Sequence, residues 1–303
     1  MKPLFLAPMA GVTDKPFRQM VRRFGNQVLY TEMIGVESLA RNHPATRKMM
    51  DIRDEKNIIV QLVGINKQAL VYAAEMAQDM GAVGVDINMG CPVKKLISNG
   101  SGAALMKNPD LAAELVDAVR SKIKIPLSVK MRIGWDQGHI NAISFAKRLT
   151  EAGANSLTIH ARTKEQGFSG HPDWDTVRAV RESVSVPITA NGDITNQTEA
   201  LNVINLTGAD SLMIGRGALG HPWILSEIET GIKPNFPLAD LIKDHLHLMI
   251  NYYGPHGVFV ARKHLAWYAK GQKNVAQFCQ SVYAETDIQK VEKTIDMFFK
   301  EVK

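Results

Sequence analysis

The sequence is poor in cysteine, with two among 303 residues, Cys91 and Cys279. One falls on a loop and the other on an expected helix, so no structural disulfide is expected, and no cysteine pair has metal-ligand spacing. The nine histidines form no His-x-x-x-His pair with a third ligand close by, which leaves no positive case for a metal. No apolar run approaches the length of a bilayer span, and Met1-Lys2-Pro3 leads straight into a short apolar strand rather than into a signal peptide. The expectation is therefore a cytoplasmic protein without a membrane segment. Internal repeats, low-complexity stretches and a separate dinucleotide fingerprint are also missing.

What is there suits a soluble globular protein: 45% hydrophobic and 22% charged residues. This length holds one large domain, or one large and one small. The net charge of +6 favours a polyanionic partner, although many basic proteins bind none.

Short apolar runs alternate with amphipathic helical stretches. The runs are 4–7, 28–32, 58–63, 83–87, 127–131, 156–160, 187–190 and 211–214. Helices are expected over 15–24, 67–80, 109–121, 141–152, 174–183 and 195–205, several with signals such as Pro16 in a first turn or Gly81 and Gly153 after a last one. The runs read as continuously apolar rather than alternating, so both faces should be covered. Eight such units in ~250 residues indicate an α/β fold, a (β/α)₈ TIM barrel. From about Pro237 onward no strand signal remains. Leu241, Ile242, Leu246 and Met249 recur at helical spacing, and Phe278, Val291, Ile295 and Phe299 read as core. The expected division is a barrel over 1–235 and a small C-terminal helical bundle over 236–303.

In a barrel, function collects at the C-terminal ends of the strands. Those ends carry Pro8-Met9-Ala10, Glu32, Gln61, Asn88 with Cys91, Lys130 with Arg132, His160 with Arg162, Asn191-Gly192-Asp193, and Gly215-Arg216. The glycines and Arg216 suit a phosphate at the ends of the last two strands, or simply make tight turns. Lys130 needs an anion, a polar ligand or a carboxylate such as Glu32. His160 is a site residue or a satisfied core histidine. Cys91, on a turn shaped by Gly90 and Pro92 and followed by Lys94 and Lys95, is a thiolate, a proton-donating thiol or an inert buried cysteine. The loop through Ser98-Asn99-Gly100-Ser101-Gly102 is a lid or a plain connection. Arg262, Lys263, His264, Lys270 and Lys273 interleave with Trp267 and Tyr268, as a backbone-and-base binding surface would, or as a basic face over an aromatic core.

Several of these residues sit in longer motifs that run in order: Ala7-Pro8-Met9-Ala10-Gly11-Val12-Thr13-Asp14, Thr31-Glu32-Met33, Asp86-Ile87-Asn88-Met89-Gly90-Cys91-Pro92, Ser128-Val129-Lys130-Met131-Arg132-Ile133-Gly134-Trp135, His160-Ala161-Arg162-Thr163, Asn191-Gly192-Asp193-Ile194 and Gly215-Arg216-Gly217-Ala218. Together they resemble the tRNA-dihydrouridine synthases over essentially the whole chain. Lys94-Lys95 and Ala261-Arg262-Lys263-His264 look most like the bacterial B-type branch. The resemblance implies a flavoenzyme that uses NADPH and FMN to reduce the C5–C6 bond of uridines in the D-loop of tRNA. Hydride goes to C6 and a proton from a cysteine to C5. Carried over, it implies Cys91 as general acid. Pro8, Met9, Ala10, Gln61, Lys130, His160, Asn191, Gly192, Asp193, Gly215 and Arg216 would surround FMN. Asn88, Lys94, Lys95, Arg132, Arg162, Arg262 and Lys263 would face the RNA. A monomer is expected. The alternatives are a flavin barrel acting on a small pyrimidine or enone, and an RNA-binding module without catalysis.

Overall fold

The structure, a computed structural model, describes residues 1–300; the final three residues of the expected helical domain lie outside the described residues. In chain order its elements are β1 (Leu4–Leu6), α1 (Lys15–Arg22), β2 (Val28–Tyr30), β3 (Ile34–Gly35), α2 (Val36–Ala40), α3 (Pro44–Met50), β4 (Ile58–Val63), α4 (Lys67–Asp79), β5 (Gly84–Met89), α5 (Lys94–Ser98), α6 (Pro109–Arg120), β6 (Leu127–Arg132), α7 (Ala142–Glu151), β7 (Ser156–His160), α8 (Trp174–Ser183), β8 (Ile188–Asn191), α9 (Gln197–Thr207), β9 (Ser211–Ile214), α10 (Ile224–Thr230), α11 (Leu238–Tyr253), α12 (Gly257–Tyr268), α13 (Val275–Ala284) and α14 (Ile288–Phe299). Short 3₁₀ turns occupy Gly102–Lys107, Arg216–Ala218 and Gly254–His256.

All strand pairs are parallel. The order β2-β1-β9-β8-β7-β6-β5-β4 closes through a β2–β4 ladder, Leu29 against Ile58 and Tyr30 against Ile59, and short β3 adds to β4 alone. This is the expected eight-stranded TIM barrel. Helix α6 shows how the sequence makes the outer layer. Asn108 caps it by accepting Leu111 N–H at 3.2 Å, Pro109 occupies the first turn, and Ala112, Ala113, Leu115, Val116 and Val119 form one buried stripe. Burying each such Leu or Val side chain is worth ~1.5–3 kcal/mol.

The strands depart from the continuously apolar reading. Tyr30 on β2 reaches the side chains of Ser128 on β6 and Thr158 on β7, which are not neighbours of β2, so these three meet in the barrel lumen. Alternation then places Asp86 and Asn88, Ser128 and Lys130, Thr158 and His160, and Thr189 and Asn191 on the same inner face. Val85, Ile87, Val129, Met131, Leu157 and Ile159 take the outer one and are fully buried. The lumen of β5–β8 is polar, and its top layer is the candidate site.

The chain forms two compact units. One is Met1–Asp14 with Asn26–Gly215, and the other is Lys15–Gly25 with Arg216–Lys303. The second unit therefore begins about twenty residues before the sequence-drawn boundary at 235/236 and also takes in α1. Its core joins Met20 to Trp223, Leu241, Ile242, Leu246, Met249, Phe278, Val291, Ile295 and Phe299. Met20 explains the difference: the exposed faces of an amphipathic helix do not tell which unit its buried face serves.

Candidate active site

The strand ends of the first unit are joined by a chain of hydrogen bonds. Asp86 is completely buried. Its Oδ1 accepts from Ser128 Oγ at 2.6 Å and its Oδ2 from Gln61 Nε2 at 2.7 Å. Gln61 Oε1 accepts from Asn88 Nδ2 at 2.8 Å. Asn88 Oδ1 then accepts the backbone N–H of Cys91 at 2.9 Å and of Gly90 at 3.2 Å. Burial pushes the Asp86 carboxyl up to about 6, opposed by the Ser128 and Gln61 hydrogen bonds and by the Lys130 ammonium.

Lys130 lies one layer above Ser128 on β6 and remains partly exposed. Its ammonium donates to Asn191 Oδ1 at 2.8 Å, and Asn191 Nδ2 donates to the Met213 carbonyl at 2.9 Å. Burial, reinforced by the Arg132 cation, lowers Lys130 to about 8, against the pull of Asp86. Glu32 serves elsewhere: its Oε1 accepts Gly11 N–H at 2.5 Å, which with the Met9–Thr13 bonds fixes the Pro8-Met9-Ala10 turn.

Cys91 is a free, partly exposed thiol. Burial raises its pKa above the ordinary thiol value, while a backbone hydrogen bond from Val93 and the charges of Arg132 and Lys130 work the other way. At neutral pH it therefore holds its proton, and its thiolate form would face two cations. The cations that act on it are these two, not Lys94 and Lys95. Both of those are exposed on α5, a short helix where the sequence suggested only loop. The return of this segment is held against the cysteine: Ala103 N–H donates to the Cys91 carbonyl at 3.0 Å. Gly102 has φ +60°, and a Cβ there would lie 2.8 Å from that same carbonyl oxygen.

Arg132 is 2% exposed, and its guanidinium donates to the carbonyls of Gly90 (2.8 Å), Thr163 (2.8 Å) and Gly167 (2.9 Å). It clamps the Cys91 turn to the loop after β7. Arg162 is deeper still: it donates to Ser169 O and Gly170 O and pairs with the Asp193 carboxylate. Its Nη1 is buried with no hydrogen-bond partner among the described residues. Asp193 sits at φ +40° and Gly192 at φ +150°, where a Cβ would come within 3.2 Å of Trp174. His160 pairs with Arg132 and Asn191 in register and packs its ring 5.9 Å from the exposed Phe168. Gly215 follows β9, with Ala7 and Met9 the nearest side chains to a Cβ built there.

Gln61, Asn88, Cys91, Lys130, Arg132, His160, Arg162, Asn191, Gly192 and Asp193 thus fall on the strand ends and loops of one barrel. Arg216 is exposed and opens the second unit. Arg262 and Lys263 lie on α12, where Arg262 donates to the Glu285 carbonyl at 3.1 Å and covers the Phe259 ring at 4.5 Å. Tyr268 is 5% exposed with its hydroxyl 3.0 Å from His245 Nδ1, so it belongs to the aromatic core and not to a stacking surface. Sequence reasoning gave Asp86 and Ser128 no role. The available signal was a carboxylate inside an apolar run, which is costly unless satisfied. Trp135 also went unassigned, although Lys107 and Lys164 hold their ammonium groups 3.7 and 4.3 Å from its ring centroid.

The family profile described as Dihydrouridine synthase (Dus) matches residues 5–303. A probable tRNA-dihydrouridine synthase of Rickettsia conorii is 40% identical over 310 aligned positions, covering 99% of this chain and 94% of its own length. The tRNA-dihydrouridine synthase B of Proteus vulgaris is 39% identical, covering 98% of this chain and 95% of its own. Among solved structures, histamine dehydrogenase from Rhizobium sp. 4-9 is similar in fold, with TM-score 0.59 and 12% identity over 81% of this chain; the likeness spans 48%, about half, of that longer protein. With the profile matched from β1 onward and relatives alike over nearly their full lengths, this chain belongs to the dihydrouridine synthase family.

Proposed function

We propose that this protein is a B-type tRNA-dihydrouridine synthase that reduces uridines in the D-loop of tRNA, with FMN as its flavin and NADPH as reductant. It works as a monomer in the cytoplasm. The observation that carries the proposal is the Cys91 turn: a thiol kept protonated by burial, held at the end of β5 by Asn88, and faced by Arg132 and Lys130.

The residues present suit a flavin. Lys130 offers an ammonium to its polar ring edge, with Asn191 and the fully buried Gln61 held behind it by their own hydrogen bonds, and the Met9 turn and Ala10 offer apolar cover. Gly192 and Gly215 let backbone approach a phosphate, and Arg162, expected to face the RNA but buried against Asp193, keeps its unpartnered Nη1 as a further donor there. The carboxylate of Asp193 is engaged by Arg162, so this residue serves an anion through its backbone. When bound, the flavin supplies the hydride that adds to C6 of the base. The protein does the rest. Asn88 holds the Cys91 turn, and Cys91 delivers its proton to C5. Arg132 and Lys130 stabilise the thiolate until it regains a proton from solvent. Lys94, Lys95, Arg262 and Lys263 serve RNA phosphate, and the second unit serves as the tRNA-binding domain. Swinging a uridine out of folded tRNA costs a few kcal/mol, which phosphate contacts offset.

The test is to incubate the purified, flavin-loaded protein with NADPH and unmodified tRNA transcript and to map dihydrouridine by mass spectrometry. Uridines in the D-loop should gain two hydrogens. Turnover of free uracil or a small enone with tRNA left unchanged would refute the assignment.

A further inference from the structure

We propose that Asp86 is a positioning residue for Cys91: its carboxylate, acting through Gln61 and Asn88, fixes the polarity of the hydrogen-bond chain that holds the Gly90–Cys91 turn. That the turn matters for catalysis rests on the function proposed above; the structural link does not.

The side-chain amides of Gln61 and Asn88 each have a donor end and an acceptor end and can be turned either way. A carboxylate only accepts. Asp86, with Ser128 Oγ already donating to Oδ1, presents Oδ2 to Gln61, so Gln61 must direct Nε2 at it. Gln61 Oε1 is then left toward Asn88, which must answer with Nδ2. Asn88 Oδ1 is consequently the end that faces Gly90 N–H and Cys91 N–H, two donors that need an acceptor. Both ends of the chain demand the same polarity. Gln61 and Asp86 are fully buried and Asn88 is 8% exposed, so water offers little substitute for a wrongly turned amide.

A group at position 86 able to donate removes this constraint. With asparagine there, reversal costs only the Gly90 and Cys91 contacts and no longer the Asp86 contact as well, so the state in which Asn88 turns Nδ2 toward the two N–H groups is reached more often. No comparable demand comes from the Ser128 side, because a hydroxyl turns freely between donor and acceptor.

The test is amide hydrogen exchange of the full-length protein, read at single residues by NMR, in four forms: wild type, Asp86→Asn, Asn88→Asp and the double swap. Asp86→Asn should speed exchange at Gly90 and Cys91 about fivefold or more, the ratio set by losing one hydrogen bond of ~1 kcal/mol, with Val85 and Ile87 unchanged. The double swap moves the carboxylate to the other end of Gln61, restores a one-way chain and should return Gly90 and Cys91 to slow exchange. Asn88→Asp alone keeps an acceptor for both N–H groups while setting carboxylates on both sides of Gln61, so it is the reference against which the double swap is read: protection in the double swap below that of Asn88→Asp also overturns the proposal. Wild-type exchange at Gly90 and Cys91 in Asp86→Asn overturns the proposal. So does equal acceleration throughout β5, or failure of the swap to restore protection. If Asp86→Asn does not fold, Gln61→Leu cuts the chain in the middle. The same local acceleration is expected there, and its absence is equally fatal. The readout needs neither tRNA nor flavin, so a failure of the functional assignment would be seen in the dihydrouridine assay and not here.

Discussion

The side-chain oxygen of Asn88 accepts the backbone N–H of Cys91 at 2.9 Å, three residues further along the same chain. One amide thereby closes the turn that presents the thiol. Replacing it with Ala leaves the N–H groups of Gly90 and Cys91 without this acceptor and Gln61 without its partner. Asn88→Ala should cost about 1–3 kcal/mol of stability, the usual penalty of buried unsatisfied donors. It should slow dihydrouridine formation at least ~10-fold, a typical share of a positioned acid's contribution. Denaturant titration and single-turnover kinetics check the two effects.

Arg132 does for the outer side of the turn what Asn88 does for the inner. Its three carbonyl contacts come from one planar fork that a lysine cannot reproduce. Arg132→Lys should therefore destabilise the fold by roughly 2–3 kcal/mol, read as a lower denaturation midpoint at unchanged slope. It should also lower the rate of uridine reduction without changing the affinity for tRNA to the same degree. Equal stability of variant and wild type would show that the clamp is replaceable.

The second unit carries a buried histidine pair. His245 and His264 pack at 4.6 Å between ring centroids, with Phe17, Tyr268 and Trp267 around them and the cations Arg23 and Lys263 near. Burial lowers His245 to about 3 and His264 well below its ordinary value. The unfolded chain, with histidine near ~6.5, then binds more protons than the folded one in the interval below that value. Stability from this pair is complete above pH ~6.5 and falls as the pH drops toward 3, by on the order of 3 kcal/mol for His245 alone at pH ~4. Asp86 acts in the opposite sense. Its raised value means that the folded form holds the extra proton between ~3.9 and about 6, so its share of stability falls as pH rises through that window. Denaturation of wild type and His245→Phe between pH 4 and 7.5 measures the first effect, and the variant should show the shallower acid slope.

Lys94 and Lys95 are exposed on α5, three and four residues after Cys91. If they face tRNA phosphate, the variant Lys94→Glu/Lys95→Glu should weaken binding and flatten the plot of log affinity against log salt by about one unit per lost contact. Its melting temperature should not change, since neither side chain is buried. An unaltered salt slope would place the RNA elsewhere.

Much of this architecture was legible in the sequence. Runs such as 58–63 and 156–160 match β4 and β7 to the residue, because buried parallel strands bounded by Gly, Pro and Asn leave little else for the chain to do. The short elements β3, α2, α3 and α5 were not, since two to seven residues carry too little periodicity to stand out. The polar lumen was missed for a different reason. Asp86 looks like a lone polar residue in an apolar run, Ser128 and Thr158 alternate with apolar neighbours in runs too short to show a period, and only closure of the barrel brings the three together. Of the site, the motif residues were all visible. Invisible was which partner each takes: Lys130 finds Asn191 rather than a carboxylate, Arg132 takes backbone carbonyls, and Tyr268 turns into the core of its unit.

The central claim is that the thiol of Cys91 supplies the proton for uridine reduction. The most direct measurement is the single-turnover rate of dihydrouridine formation by flavin-loaded Cys91→Ala against wild type, at equal flavin content and saturating tRNA. A loss of ~10²-fold or more is expected, the range for removing a general acid. A variant that retains its flavin and modifies tRNA at the wild-type rate would contradict it.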